Sequence, residues 1–159
     1  MSILFKMKVK RKLAILILTL MTIATISTPA SALVYPNSYY DRIAWTWEYS
    51  APNTETYNCL AYALGYTTIW VWPWGTTNPT SSQANSFMAG AGYRNVGWGY
   101  PINNPLIISY GSSSEVVHFS KVSGYNSIAK WGSLELMKSY SLNPYNNGGG
   151  YGPPVTTYY

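Results

Sequence analysis

The sequence is poor in the residues that build disulfides and metal sites. It contains one cysteine, Cys59, and one histidine, His118, among 159 residues. A single thiol excludes an internal disulfide, so stability must come from packing. One cysteine and one histidine are too few for a zinc site, which takes four ligands. No nucleotide or cofactor signature is present, and we expect neither a metal nor a cofactor.

Charge is the second scarcity. Charged side chains make up 9% of the chain, which carries a formal net charge of +5. Residues 33–159 contain equal numbers of basic and acidic side chains, so the excess lies in the N-terminal segment that precedes them. Because no basic patch remains to neutralise phosphates, we expect no nucleic-acid partner.

Long apolar runs are absent except near the start. The segment "LAILILTLMTIATI" (13–26) follows a lysine-rich stretch and precedes Ala30-Ser31-Ala32. A basic region, an apolar run and a small-residue cleavage site, in this order, are typical of a secretory signal peptide, and the run is short for a membrane span. An uncleaved anchor is the alternative. We expect a secreted protein, extracellular or associated with the cell wall, with no membrane span left after cleavage.

The chain divides into four segments by composition. We expect a signal peptide over 1–32, an extended N-terminal arm over 33–54, one folded domain over 55–142 and a low-complexity tail over 143–159. The tail, "NPYNNGGGYGPPVTTYY", is expected to have little ordered structure. Nothing in the sequence indicates an oligomeric state.

Two helices are predicted. In "NCLAYALGY" (58–66) the apolar residues and the terminal Gly65 indicate a short helix that begins near Cys59. In "NPTSSQANSFMAGAGY" (78–93), Thr80 and Gln83 have the spacing of a capping box at the start of a second helix.

Three strands follow the helices. Residues 105–111, 115–123 and 127–133 are short β-branched or aromatic segments separated by Gly, Ser and Asn, which predicts three consecutive antiparallel strands. His118 lies on the middle one. The order of elements predicts an α+β fold with helices on one side of a small antiparallel sheet.

Cys59 and His118 have the chemistry of a nucleophile and a base. A thiol at a helix N-terminus near an imidazole can form a thiolate, attack a carbonyl carbon and leave the imidazolium to protonate the departing amine. The backbone N–H of Cys59 is then the natural donor to the oxyanion. The alternative is that both are unrelated core residues, since free cysteine is often buried.

A family resemblance favours the catalytic interpretation. The segments "NCLAYALG", "VVHFSKV" and "IAKWGS", in this order, resemble papain-like NlpC/P60 and CHAP cysteine peptidases and amidases, and more closely a group of secreted bacterial proteins. The resemblance covers roughly residues 55–140. It implies a papain-like fold with the nucleophile helix packed on a small antiparallel β-sheet, Cys59 as nucleophile, His118 as base, and an amide substrate in peptidoglycan or an extracellular peptide.

Such enzymes usually carry a third polar residue that orients the imidazole. Asn126 stands early, and Glu135 late, for a strand that pairs with the His118 strand; of the two we choose Glu135, and the role stays open. Lys130 cannot accept the imidazole N–H. It would contact a substrate carboxylate or the Glu115/Glu135 pair, or extend to solvent. Asn58 would polarise the oxyanion or cap the first helix, and we favour the cap.

Aromatic residues are abundant: the chain has 7 tryptophans and 16 tyrosines. Trp70, Trp72 and Trp74 alternate, so in an extended segment they share one face. They would form a platform for a sugar ring or a peptide, or a lid packed on the first helix. The two function hypotheses are a secreted cysteine hydrolase and a non-catalytic exported domain that binds cell-wall polymer or a partner protein.

Overall fold

The structure is a computed structural model that describes residues 33–99, 104–146 and 150–159. The signal peptide expected over residues 1–32 lies outside the described residues. Within the described part of the chain, no helix is long and apolar enough to cross a membrane.

The described residues form three short helices and seven strands. The helices are α1 (Asn37–Ile43), α2 (Cys59–Ala63) and α3 (Ser81–Gly90). The strands are β1 (Glu48–Ala51), β2 (Asn95–Gly97), β3 (Ile107–Gly111), β4 (Val116–Ser123), β5 (Asn126–Lys130), β6 (Leu136–Ser139) and β7 (Pro154–Tyr158).

The strands form one antiparallel sheet in the order β1-β6-β5-β4-β3-β7-β2. This architecture shows that the expected papain-like fold is wrong. In place of a nucleophile helix on a small sheet, a seven-stranded sheet dominates the described residues, and helix α2 has only 5 residues.

The fold prediction failed because of two segments, the arm at 33–54 and the tail at 143–159. The arm expected over 33–54 contains helix α1 and strand β1, which pairs with β6. The tail expected to have little order supplies β7, which pairs with β3 on one side and β2 on the other. Its segment "VTTYY" is β-branched and aromatic, a composition that strands favour, but its partners lie about 50 residues earlier in the chain, where local patterns do not reveal them.

The central elements are confirmed. Thr80 and Gln83 form the expected capping box at the start of α3. Helix α2 begins at Cys59, and Gly65, with φ of +91°, follows its end, a conformation that glycine adopts without strain. The three predicted strands are β3, β4 and β5, joined in consecutive antiparallel pairs.

The two faces of the sheet carry separate hydrophobic clusters, because side chains alternate between faces along a strand. We call the side covered by α2 and α3 the helix face; its buried cluster comprises Cys59, Leu60, Ala63, Ala84, Met88, Ile107, Val116, Phe119 and Tyr158. The other side, which we call the tyrosine face, has a cluster of Tyr40, Ala44, Ile108, Tyr110, Ala129, Trp131, Met137 and Tyr145.

Candidate active site

The site lies where β4 and β5 stop pairing. Their ladder runs from Ser123↔Asn126 to Lys121↔Ile128, so residues 116–120 of β4 have no partner on β5. Helix α2 contacts both strands. A strand that loses its neighbour leaves backbone N–H groups free for other partners. Here the N–H of Phe119 on β4 lies against the sulfur of Cys59, the first residue of α2.

Cys59 is the first residue of α2 and is 6% exposed. Burial raises the pKa of its thiol to about 11, although the backbone N–H groups of Phe119, Leu60 and Cys59 lie against the sulfur and oppose the shift. The positive charge of Lys130 opposes it as well. Cys59 is therefore a protonated thiol at neutral pH, surrounded by donors that would stabilise negative charge.

His118 lies on β4 and is 1% exposed. Its ring stacks on Tyr151, with centroids 3.7 Å apart, and meets the edge of Tyr145 at 5.1 Å. Burial lowers the pKa of His118 to about 3, so the imidazole is neutral at neutral pH. Its Nε2 atom is buried and has no hydrogen-bond partner within the described residues.

A cleft of ≈ 260 Å³ brings the two residues to one space. Its lining consists of Asn58, Cys59, Trp70, Trp72, Gly75, Val117, His118, Gly132 and Tyr151. Cys59 belongs to the helix face and His118 to the tyrosine face, so residues of both faces line the cleft, beside the gap between β4 and β5. No lining side chain carries a charge at neutral pH.

Asn58 is the N-cap that the sequence favoured. Its Oδ1 accepts a hydrogen bond from the N–H of Ala61 at 3.0 Å, and its Nδ2 donates to the carbonyl oxygen of Val71 at 2.8 Å. The side chain therefore fixes the start of α2 and ties the tryptophan-rich segment to it, while it also lines the cleft.

The three tryptophans have different surroundings. Trp74 packs against Phe87 and Phe119, with ring centroids 5.5 Å and 6.5 Å away. Trp72 meets Trp74 edge-on at 5.1 Å and also lines the cleft. Trp70 is 51% exposed and lines the cleft. Trp74 therefore packs against α3 and β4, and of the three tryptophans Trp70 and Trp72 line the cleft.

Glu135 and Lys130 are buried and lie outside the cleft lining. Glu135 accepts hydrogen bonds from the N–H of Val34 at 2.7 Å and from the Tyr40 hydroxyl at 2.8 Å. Lys130 donates to the carbonyl oxygens of Gly132 and Leu134. The structure therefore does not place Glu135, the expected orienting residue, beside the imidazole. Lys130, the expected substrate-binding residue, is not part of the cleft lining.

Residues 48–159 match a family described as a domain of unknown function, DUF7689. The chain belongs to this family. The matched region begins at β1 and runs through β7, so it includes all seven strands of the sheet. No curated protein and no solved structure matches the chain.

Residues 33–99, 104–146 and 150–159 contain no group of three or more His, Cys, Asp or Glu side chains that could hold a metal ion. The cleft also contains a residue that the sequence analysis missed, Tyr151. Its position in "GGGYGPP" shows no helical or strand periodicity. A tyrosine flanked by glycines is nevertheless a signal of close backbone packing.

Proposed function

We propose that the cleft is the active site of a cysteine hydrolase in which Cys59 attacks the carbonyl carbon of an amide and His118 transfers the proton. The observation that carries this proposal is the meeting of the chain's only thiol and only imidazole in one cleft, although they belong to opposite faces of the sheet. Backbone N–H groups against the sulfur supply the stabilisation that a thiolate and an oxyanion require.

The resting pair is a thiol and a neutral imidazole, since burial disfavours the charged form of each. A neutral imidazole is the form that accepts a proton. We therefore expect proton transfer to accompany attack, with little thiolate–imidazolium pair present beforehand.

The proposed steps conserve atoms and protons. The S–H bond of Cys59 breaks, its proton moves to His118 and the sulfur bonds to the carbonyl carbon. The tetrahedral oxyanion then collapses, the C–N bond breaks and the imidazolium protonates the leaving amine. Water, deprotonated by the neutral imidazole, attacks the thioester and releases a carboxylic acid and the free thiol.

The proposed substrate is an amide in peptidoglycan or in an extracellular peptide, reached by a secreted protein after loss of its signal peptide. The uncharged lining of the cleft suits a neutral stretch of such a substrate, and the exposed ring of Trp70 offers a surface for an apolar group or a sugar.

The second candidate is a non-catalytic exported domain that binds cell-wall polymer or a partner protein through the same cleft. The observation in its favour is the neutral state of both Cys59 and His118, combined with the exposed Trp70 at the cleft. In that case the thiol and the imidazole would be buried wall groups of a binding site.

The first test compares the wild-type protein with Cys59→Ala on purified sacculi and on unstructured peptides, by measuring the release of free amino groups. We expect the activity of Cys59→Ala to fall by at least ~10²-fold, because Cys59 forms the acyl intermediate. The activity of His118→Ala should fall by a similar factor, because His118 transfers the proton.

Tyr125→Ala is the matched control, because Tyr125 is 87% exposed on the turn between β4 and β5. It should retain wild-type release. Equal release by wild type and Cys59→Ala would sink the hydrolase proposal. If neither releases amines but wild type co-sediments with sacculi and Trp70→Ala does not, the binding domain is the correct function.

A further inference from the structure

The C-terminal segment packs a tyrosine flat on the imidazole of His118. The rings of Tyr151 and His118 are 7° from parallel, with centroids 3.7 Å apart. Tyr145 stands at 86° to the imidazole, 5.1 Å away, and Tyr110 is tilted against it at 6.0 Å. A ring enclosed by three others at these distances has few alternative orientations, since close packing removes the space for them.

Two glycines determine where Tyr151 lies. A Cβ at Gly150 would be 2.0 Å from the carbonyl oxygen of Ile43, the last residue of α1. A Cβ at Gly152 would be 3.2 Å from the Cα of Gly111 at the end of β3, and Gly152 has a φ of +82°. Any other residue at Gly150 would displace the segment, and Gly152 adopts a conformation that other residues reach only with strain.

Catalytic imidazoles are usually oriented by a hydrogen bond at one ring nitrogen. Nε2 of His118 has no such partner within the described residues, and the Glu135 carboxylate is engaged with Val34 and Tyr40. We propose that Tyr151 is the positioning residue of His118: its stacked ring, held between Gly150 and Gly152, fixes the plane of the imidazole at the cleft in place of a hydrogen-bonding third residue.

Burial is the dominant influence on the pKa of His118, because the titratable groups packed around its ring are uncharged at neutral pH. Tyr110 from β3, together with Tyr145 and Tyr151, packs against it, and Cys59 from α2 lines the same cleft. Burial raises the pKa of all four groups, so none is charged at neutral pH. Because Tyr151 covers one face of His118, its removal admits water and should raise the pKa of the imidazole.

The catalytic meaning of this contact rests on the proposed function, since ring orientation matters to a reaction only if His118 transfers a proton. If it does, loss of the stack should lower kcat more than it changes KM, because the base is misaligned for attack while the rest of the cleft still binds.

The test uses the fact that His118 is the only histidine. In protein without a histidine tag, the Cε1 proton in NMR spectra therefore reports this ring alone. Tyr151→Phe keeps the ring and should leave the titration and kcat at wild-type values. Tyr151→Leu keeps apolar volume without a planar ring; we expect the pKa of His118 to rise by at least about 1 unit and kcat to fall about 10-fold or more.

Gly150→Ala tests the same contact without changing Tyr151. The added methyl would meet the Ile43 carbonyl, so it should displace the stack and raise the pKa of His118 as Tyr151→Leu does. Gly90→Ala is the matched control, because a Cβ at Gly90 meets nothing within 4 Å. Circular dichroism and urea unfolding establish that each variant is folded before titration.

An unchanged His118 titration in folded Tyr151→Leu or folded Gly150→Ala overturns the proposal. A Tyr151→Phe variant as impaired as Tyr151→Leu also overturns it, because the hydroxyl and not the stacked ring would then be responsible. The titration needs no substrate. It therefore tests whether Tyr151 covers His118 even if Cys59→Ala shows that the protein is not a hydrolase, while kcat and KM test the orientation of the ring.

Discussion

The two faces of the sheet are built from different chemistry. On the helix face, aliphatic and aromatic side chains such as Leu60, Met88 and Phe119 are buried between the sheet and two short helices. The tyrosine face is held by hydroxyl groups: Tyr110 contacts the Ser120 hydroxyl at 2.9 Å and donates to the Leu142 carbonyl at 3.1 Å. The helix face thus depends on packed volume, and the tyrosine face depends also on satisfied hydrogen bonds.

The tyrosine face is the side on which the residues around α1 meet segments near the C-terminus. On it the Tyr40 hydroxyl of α1 donates to Glu135, and burial together with this bond raises the pKa of Tyr40 to about 12. Trp131 donates to the Tyr145 hydroxyl at 3.2 Å. With so few aliphatic residues available, directed hydroxyl bonds specify how these distant segments meet. The candidate site lies where the two kinds of packing touch.

The largest effect should come from volume lost on the helix face. Phe119→Ala removes a fully buried ring that contacts Trp72 and Trp74, and we expect the free energy of unfolding to fall by about 3 to 5 kcal/mol. Urea denaturation measures it, with the exposed Tyr125→Ala as a control that changes stability by less than about 0.5 kcal/mol. A loss below about 1 kcal/mol for Phe119→Ala contradicts the volume account.

An intermediate effect concerns pH and the tyrosine face. The pKa of His118 is lowered from 6.5 to about 3 in the folded protein. Between these values the unfolded chain binds a proton that the folded chain does not, so lowering the pH favours unfolding. Stability should be constant above about pH 6.5 and fall by about 2 kcal/mol between pH 7 and pH 5.

His118→Phe is the matched variant for this prediction, because phenylalanine can stack on Tyr151 and does not titrate. Its unfolding free energy should lose this dependence between pH 5 and pH 7, a range above the ordinary pKa of carboxylates. The same slope in wild type and His118→Phe would show that the buried imidazole is not its source.

The smallest expected effect is the difference in stability loss between hydroxyl deletions on the two faces. Tyr110→Phe on the tyrosine face leaves buried partners unsatisfied, so we expect a loss of about 1 to 3 kcal/mol in unfolding free energy. Tyr158→Phe on the helix face removes a partly buried bond to Asn85 at 2.8 Å and a long contact with the Ser109 hydroxyl at 3.4 Å, and it should cost less than about 1 kcal/mol. Equal losses in urea denaturation would remove the distinction between the faces.

Local chemistry was sufficient to predict the middle of the fold. The capping box at Thr80 and Gln83, the glycine after α2 and the alternation in β3 to β5 all act between residues close in sequence. The pairing partners of β1 and β7 were not predictable in this way. Their ladders join segments roughly 50 to 90 residues apart, and their short lengths carry weak periodicity.

The candidate site shows the same division. Cys59 and His118 drew attention as the only residues of their kinds, and the cap at Asn58 followed from residue type. Glu135 was assigned as the orienting residue because it is a carboxylate near the expected strand. The structure engages it with Tyr40 and Val34, which the sequence separates from it by about a hundred residues.

By itself, the sequence determined the starts of α2 and α3, the three central strands and the scarcity of charge, because these depend on side-chain type and near neighbours. Only the tertiary structure decided that the C-terminal segment enters the sheet and that Tyr151 covers His118. These features depend on backbone approaches at Gly150 and Gly152, where a missing side chain allows contact with segments distant in sequence. Residues 150–152 thereby become part of the wall around the imidazole.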